Sequence, residues 1–562
     1  MGARGEASHP VTPRLGAIDR SNERRSERAS ERTSERRSDG ASERASERAR
    51  RDEEDRPIVA PATMRGVCAA TLPTNPTVAR CGGRGRNAAV IVGGRRVTPA
   101  SVARARASAT EGTAAVSANE ATWEDGFVGR CVTTTGSSSS SSGAEIMDDA
   151  RKSAELVALK RARAPTTRAE AYRFTDFGGL TSATLARAKE EGAARGVAEK
   201  VRLDGCAARV VIADGGVEVT DDQGAKSAGV VVAKCSEIGT CEETGAQSAG
   251  ARGNVFSGLN AACASDVVIV RVPAGVKLVE PIHIVHASSG GKDGAVAVSA
   301  PRVTVVLERG AEASIVEDFL GEAEAEYWQN GVCEITIGQE ASLTHAMIQN
   351  HGRAATHTRT TLVTQEEGSK YEVDEVSVGG KMARHDLNVK QLGPRTETVL
   401  ACFNLAGANQ TLDLHSTLQL DHEEGKSDQI HKCIVSAASG RGVFDGNVQV
   451  NRLAQRTDAQ QLSRNLLLVP KATVNVKPNL QIIADDVKCT HGCTVSDLEE
   501  EELFYIRSRG LSTELARSLL VSGFGVEVIS RLPGKDLRDR VNSIVRASLE
   551  RDRVQFEWTG DN

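Results

Sequence analysis

The sequence is poor in aromatic residues: Phe, Tyr and Trp make up 3% of its 562 positions, while Gly alone fills 53. A core so short of large rings is filled by Val, Ile, Leu and Ala, which suits many short stacked elements better than a few bulky ones. No apolar run approaches the roughly 18 residues that a membrane-spanning helix needs, which excludes helical membrane insertion. The 12 Cys are too sparse for a disulfide scaffold, so free or metal-binding thiols are expected. Neither sign of charge dominates: 70 Lys+Arg stand against 75 Asp+Glu, a net of −5, which argues against nucleic acid as a partner of the whole chain. The length allows roughly two to four domains.

Lysine is missing altogether before Lys152. Residues 1–110 hold 22 Arg and 13 acids, a net of +9, so the remaining residues carry −14. Five Ser-Glu-Arg triplets, beginning at Ser26, Ser30, Ser34, Ser42 and Ser46, mark a low-complexity stretch with almost nothing apolar beyond Ala. Residues 1–63 are therefore expected to be a disordered extension, or upstream sequence that the working protein never contains. From Met64 to Thr110 there are eight Arg and no acid, the composition of an organelle transit peptide, with a generic basic linker as the alternative. Residues 111–143, ending in the run Ser137–Ser142, are expected to form a flexible linker. A helical segment over Ala144–Arg163, stopped by Pro165, opens an expected N-terminal helical domain, 144–204.

Residues 205–495 read as short strands broken by Gly or charged turns. Ala208–Ala213, Val267–Val272, Val303–Leu307, Cys333–Ile337, Thr360–Val363 and Leu412–Leu420 alternate Val, Ile, Leu or Thr with other residues. Turns at Gly310-Ala311, Gly338-Gln339, Gly368-Ser369 and Gly393-Pro394 recur at spacings of 28, 30 and 25 residues. That period points to a β-solenoid, whose coils pack only on their neighbours; the scarce aromatics favour it over its rival, a large β-sandwich.

Several motifs with chemical promise fail on context. Gly83–Ala88 imitates a dinucleotide fingerprint, but its apolar run follows the glycines instead of preceding them. Gly425-Lys426-Ser427 lacks the first glycine of a phosphate loop, since Leu stands at 420, and its acidic neighbours would repel phosphate. There is no Gly-x-Ser-x-Gly elbow and no His-Glu-x-x-His helix. One constellation survives, Asp485 through Cys493. If it is extended, Cys489, His491 and Cys493 share a face and present two thiols and an imidazole, ligands suited to iron–sulfur chemistry, zinc or copper(I). Lys488 beside it would favour the thiolate. Three ligands are one short of a closed site, so a fourth comes from elsewhere or from a second chain. The structural alternative makes Cys489 a small core residue and His491 a satisfied polar group. The histidines at 345, 351, 357, 415, 422 and 431 lack mutual ligand spacing and read as structural.

Residues 496–562 turn helical. Ser496-Asp497-Leu498-Glu499 reads as a capping box opening a helix through Arg507 that ends near Gly510. A second helix carries Leu515, Leu519 and Leu520, and a third spans Asp536–Leu549.

An ordered series of motifs resembles the SufB/SufD core family of iron–sulfur cluster assembly proteins. It comprises Gly442–Gly446, Ala454–Ala459, Asn465–Leu468, Lys477-Pro478, Asp485–Gly492 and Leu503–Gly510, preceded by Pro273–Val276, Glu280–His283 and Arg168–Asp176. The form Asp-Asp-Val-Lys-Cys-x-His-Gly resembles the SufD branch rather than SufB. Cys493 departs from the pattern, where Ala is usual; its thiol is an added ligand or a small core residue, and the latter is expected.

The resemblance implies a right-handed parallel β-helix between N- and C-terminal helical domains. It implies a non-catalytic scaffold paired with a SufB-like subunit through the β-helices, with a SufC-like ATPase docked on the C-terminal helical region. Leu503, Phe504, Tyr505, Arg507, Arg509 and Gly510 fall in that docking region. Cys489 and His491 are the implied ligands of a transient iron–sulfur cluster at the SufB interface, and ATP enters only through the SufC-like partner. With the transit segment, the plastid stroma of the chloroplast is the expected compartment. The alternatives are a β-helix polysaccharide enzyme, which should line a groove with acids and aromatics, and a stand-alone metal-binding protein.

Overall fold

Alternation of β-branched and polar residues builds two long sheets that run side by side. The computed structural model describes residues 123–135, 159, 164–189, 192–238, 254–498 and 500–553. Sheet one holds β1 (Leu185–Ala186), β4 (Val231–Lys234), β5 (Val268–Val272), β7 (Val296–Ser299), β8 (Arg302–Leu307) and β10 (Tyr327–Ile337). It continues through β12 (Thr356–Gln365), β14 (Met382–Gln391), β16 (Thr411–Leu420), β18 (Arg441–Val450) and β20 (Thr473–Ile482). Sheet two holds β2 (Ala208–Ala213), β3 (Gly216–Asp221), β6 (Ile282–Ser288), β9 (Glu312–Gly321) and β11 (Ser342–Asn350). It continues through β13 (Lys370–Ser377), β15 (Glu397–Ala406), β17 (Lys426–Val435), β19 (Asp458–Leu467) and β21 (Lys488–Ser496).

From β8 onward successive strands alternate between the sheets, and from β9 onward each pairs in parallel with the strand two places on. This is the β-solenoid expected from the turn period. Its first end is closed by antiparallel pairs, β2 with β3 and β4 with β5. Among the described residues its last end is open, because there β20 pairs only with β18 and β21 only with β19.

The interior is filled by ladders, in which one position of each coil stacks on the same position of the next. Val305, Ile335, Val363, Val389, Leu418, Val448 and Leu480 form one such column, inside the largest apolar cluster. Parallel pairing puts equivalent side chains about 4.8 Å apart, so aliphatic residues pack without large rings. The buried aromatics Phe127, Phe177, Phe256 and Trp328 gather instead in a separate cluster where N-terminal segments meet sheet one.

One turn repeats along an edge of the solenoid with a left-handed residue in each coil. Gly310, Glu340, Gly368, Arg395, Glu424 and Arg456 all have φ between 57° and 67°. The N–H of each donates to a carbonyl of the next coil, at Gln339, Glu367, Pro394, Glu423, Gln455 and Asp486 in turn. The repeat read from Gly338 and Gly393 is therefore offset by two residues from the true left-handed positions.

The interior also holds buried charge. Glu317 accepts from His286 (2.9 Å), His345 (3.0 Å) and Arg359, all nearly or fully enclosed. Burial alone would raise the Glu317 carboxyl, but Arg359 and the two imidazoles hold it well below the usual carboxylate range. Further along, burial pushes the imidazoles of His351 and His431 down to about 3. Histidines of the unfolded chain titrate near about 6.5, so below that value the unfolded state binds more protons. Stability is then complete above about pH 6.5 and falls on acidification by about 1.4 kcal/mol per group per pH unit. Urea unfolding should show a lower midpoint at about pH 5 than at about pH 7.5; a flat profile would refute neutral burial of these rings.

The C-terminal helices Thr513–Ile529 and Lys535–Arg553 lie on the outer face of sheet two, packing Val521, Val528, Leu537 and Val541 against Ile348, Val376, Phe403 and Leu405. Gly525 allows the approach, since a Cβ there would stand 2.9 Å from the Phe403 ring. Arg531 pairs with Glu372 (2.5 Å) and Asp374 (2.8 Å), and Arg540 grips Asp318 through both guanidinium nitrogens.

Three expectations need correction. Within the expected linker 111–143, Trp123–Val128 and Gly129–Thr135 are helical, burying Phe127, Val128 and Cys131. Apolar residues at 127, 128, 131 and 132 give that stretch a helical stripe. Within 144–204 the described elements are short, and β1 joins sheet one. Ser496 is the last residue of β21 and not a helix cap; the next helix is Glu500–Arg507. The disordered extension and transit peptide lie outside the described residues, as does Ala144–Arg163 except for Leu159, which is helical and buried.

Candidate iron-handling edge

β21 is extended, so period two governs which of its residues share a face. Cys489 packs against the interior cluster, and its register partner on β19 is the buried Ala459. By the same alternation His491 stands opposite Gln461 and Cys493 opposite Ser463, both buried. The three side chains thus cap the interior of the last coil on one face, as the spacing predicts.

Their exposure differs from expectation. Cys489 is partly buried, while His491 and Cys493 are exposed, so Cys493 is not a core residue. The reason is that, among the described residues, no further strand pairs with β21 to bury its side chains. Nor do the three converge, since no group of three His, Cys, Asp or Glu able to hold a metal occurs among the described residues. Residues i and i+4 on a strand lie about 13 Å apart, too far for two thiolates to share an ion at about 2.3 Å each.

Lys488 does not lower the Cys489 thiol. Burial raises it, the Asp458 carboxylate raises it further, and only the backbone N–H of Ala459 opposes them. The Cys493 thiol is likewise raised by burial. Neither is a pre-formed thiolate in the isolated chain; a cation or a neighbouring chain has to draw the proton off.

Beneath this face the interior changes character. Ser427, Gln429 and His431 on β17 stack under Ala459, Gln461 and Ser463 on β19, replacing aliphatic ladders with polar ones. The Asn404 amide faces His431 Nε2 at 3.4 Å, and His431 Nδ1 lies 3.1 Å from Ser463 Oγ. Asn465 donates to Ser463 Oγ and to the Thr494 carbonyl, both at 3.0 Å, tying β19 to β21. Sequence reasoning missed these residues. Each sits about one coil before the residue it supports, and register is what brings them together.

Beside the strand starts runs a groove of about 580 Å³ lined by Arg395, Glu397, Glu424, Lys426, Arg456, Asp458, Asp486 and Lys488. Its charges alternate along the coils, with Glu397 between Lys370 (2.9 Å) and Lys426 (3.5 Å), so they cancel and give no anion or metal preference. At the open edge, apolar Ile482, Ile483 and Val495 are about half exposed.

The residues read as an ATPase dock lie on and after the helix Glu500–Arg507. Leu503 is half-buried; Phe504 (71% exposed), Tyr505, Arg507, Arg509 and Gly510 face solvent. Arg509 stacks on Tyr505 at 4.3 Å, and Gly510 takes φ +88° to end the turn. Leu515 and Leu519 on the next helix are also exposed, a cluster of apolar side chains that monomeric surfaces seldom leave bare.

The described residues form a parallel β-solenoid with one open end, thiol and imidazole side chains on its last strand and exposed apolar side chains on the helices that follow. Comparison with known proteins makes this specific. The family model for the SUF system FeS cluster assembly, SufBD core domain, matches residues 287–524. Protein ABCI7, chloroplastic, of Arabidopsis thaliana is 49% identical over 301 residues, 53% of this chain and 63% of that protein. A SufBD family iron–sulfur cluster assembly protein of Synechocystis is 38% identical over 299 residues, 52% and 65% of the two chains. The iron–sulfur cluster assembly protein SufD of Escherichia coli is 30% identical over 290 residues, 51% and 68%. The chain therefore spans a little under two thirds of the first two relatives. It belongs to the SufBD family of iron–sulfur cluster assembly proteins. That membership displaces the polysaccharide-enzyme alternative.

Proposed function

We propose that the chain is a SufD-like, non-catalytic scaffold subunit on which nascent iron–sulfur clusters form at an edge shared with a SufB-like chain. The observation that carries this reading is the open last coil. It presents Cys489 and His491 on one face, without enough ligands among the described residues to close a site, on and beside strands that pair with no described strand on their outer side. Unpaired strand edges invite another chain, and a partner edge would supply both the missing hydrogen bonds and the missing ligands. Lys488 ends a column in which Lys370, Glu397, Lys426 and Asp458 alternate in sign, so a partner carboxylate facing Lys488 would continue it.

Iron and sulfide are the substrates of the site. The soft thiol of Cys489 gives up its proton as iron binds, and the His491 imidazole offers a neutral nitrogen lone pair. ATP acts through a SufC-like partner seated on Phe504, Tyr505 and the exposed leucines that follow. Its movement would reach the solenoid through Arg531 and Arg540, which clamp the helical region to sheet two. The 49% identity to a protein named chloroplastic, with the acid-free segment 64–110, supports a plastid location.

Co-expression with SufB- and SufC-like chains is expected to yield one complex containing all three. ATP hydrolysis by the purified chain alone would overturn the division of labour. Phe504→Asp should weaken binding of the ATPase by tenfold or more, read by calorimetry, with no change in melting temperature, because the side chain is exposed. A lowered melting temperature would mark Phe504 as structural.

A further inference from the structure

We propose that Gln461 is a positioning residue that accepts a hydrogen bond from the His491 ring N–H and so leaves the other ring nitrogen free for iron. The inference rests on the proposed ligand role of His491. It goes beyond that role by naming what would set its tautomer.

Gln429, Gln461 and His491 are register partners on three successive strands of sheet two, β17, β19 and β21. Gln429 Nε2 donates to Ser416 Oγ, and Gln461 Nε2 donates to Gln429 Oε1 at 2.7 Å. This amide ladder has a direction, with both nitrogens engaged toward earlier coils. Its last carbonyl is left over: Gln461 Oε1 is buried and has no hydrogen-bond partner, in a residue 2% exposed. An orphaned buried acceptor is destabilising, so native interiors seldom keep one without a use. Across the interior, Gly446 makes room for this amide, since a Cβ there would stand 2.3 Å from Gln461 Nε2.

The next side chain up the ladder is His491, which makes no side-chain hydrogen bond among the described residues. A neutral imidazole has one N–H and one lone pair, and whichever nitrogen is held by an acceptor leaves the other to bind metal. Metal-binding histidines are regularly oriented this way by a carbonyl or carboxylate, and loss of that acceptor typically costs about 10–100-fold in metal affinity or activity. Gln461 offers a carbonyl fixed from behind by Gln429 and Ser416.

The test is proton NMR of the full chain, labelled with ¹⁵N-histidine, in alkaline solution. An exposed imidazole N–H exchanges with water too fast to be seen, whereas one held on a buried carbonyl gives a ring-proton resonance. The wild type should show a ring proton that disappears in His491→Ala, which assigns it. It should also disappear in Gln461→Met and persist in Gln461→Glu, whose carboxylate still accepts. In the complex, Gln461→Met should slow cluster formation about 10–100-fold with Gln461→Glu close to wild type. No ring proton assignable to His491, or one that survives Gln461→Met, overturns the proposal; so does equal damage by the Met and Glu variants. The ring proton is read without iron, so assembly by His491→Ala judges the ligand role separately.

Discussion

His491→Ala is expected to reduce cluster formation by the complex at least tenfold while leaving its affinity for the ATPase unchanged. The residue is exposed on the last strand, with its ring beyond the final layer of buried side chains, so removing it opens no cavity. On the proposed reading, its loss takes away one of the two donors, Cys489 and His491, assigned to this chain. The proposed ATPase surface is on a different element, around Phe504 and Tyr505. Anaerobic reconstitution followed by absorption spectroscopy measures the first effect and calorimetry the second. Loss of both together would show that His491 supports the fold.

Glu317→Leu is expected to cost about 3–5 kcal/mol of stability, because it leaves the Arg359 guanidinium buried with no counter-charge. Arg359 is 1% exposed, and its Nε and Nη1 already have no hydrogen-bond partner. His286 and His345 would lose their acceptor in the same step. The double variant Glu317→Leu/Arg359→Met should recover part of the loss, since it removes the unpaired buried charge while His286 and His345 still lack their acceptor. Urea unfolding of the two variants checks this. A single-variant loss below about 1 kcal/mol would mean that water reaches the pair.

The solenoid and its limits show which physical signals a single sequence carries. Strand interiors were legible because burial of one face forces alternation, and Ala208–Ala213 was bounded to the residue. The turn repeat was placed to the residue only where the left-handed position is Gly, as at 310 and 368, and two residues early at Gly338 and Gly393. The other coils place Glu340, Arg395, Glu424 and Arg456 there, residues with no turn signature. The face shared by Cys489, His491 and Cys493 followed from period two. Their lack of convergence, the exposure of Cys493 and the raised Cys489 thiol depend on what lies beyond β21 and on Asp458, 31 residues earlier. Gln461 under His491 and Asp318 under Arg540 are long-range pairings set by register and docking, and alternation alone does not encode either.

On the proposed reading another chain pairs along the open end of the solenoid, and hydrogen exchange of the β20 and β21 amides reports that pairing most directly. In the isolated chain the outward-facing amides of these edge strands should exchange rapidly. On adding the SufB-like subunit they should slow by about 100-fold or more, while amides of β3 at the closed end stay unchanged. Unchanged exchange at β20 and β21 in a complex that has formed, or protection confined to another surface, would contradict the account.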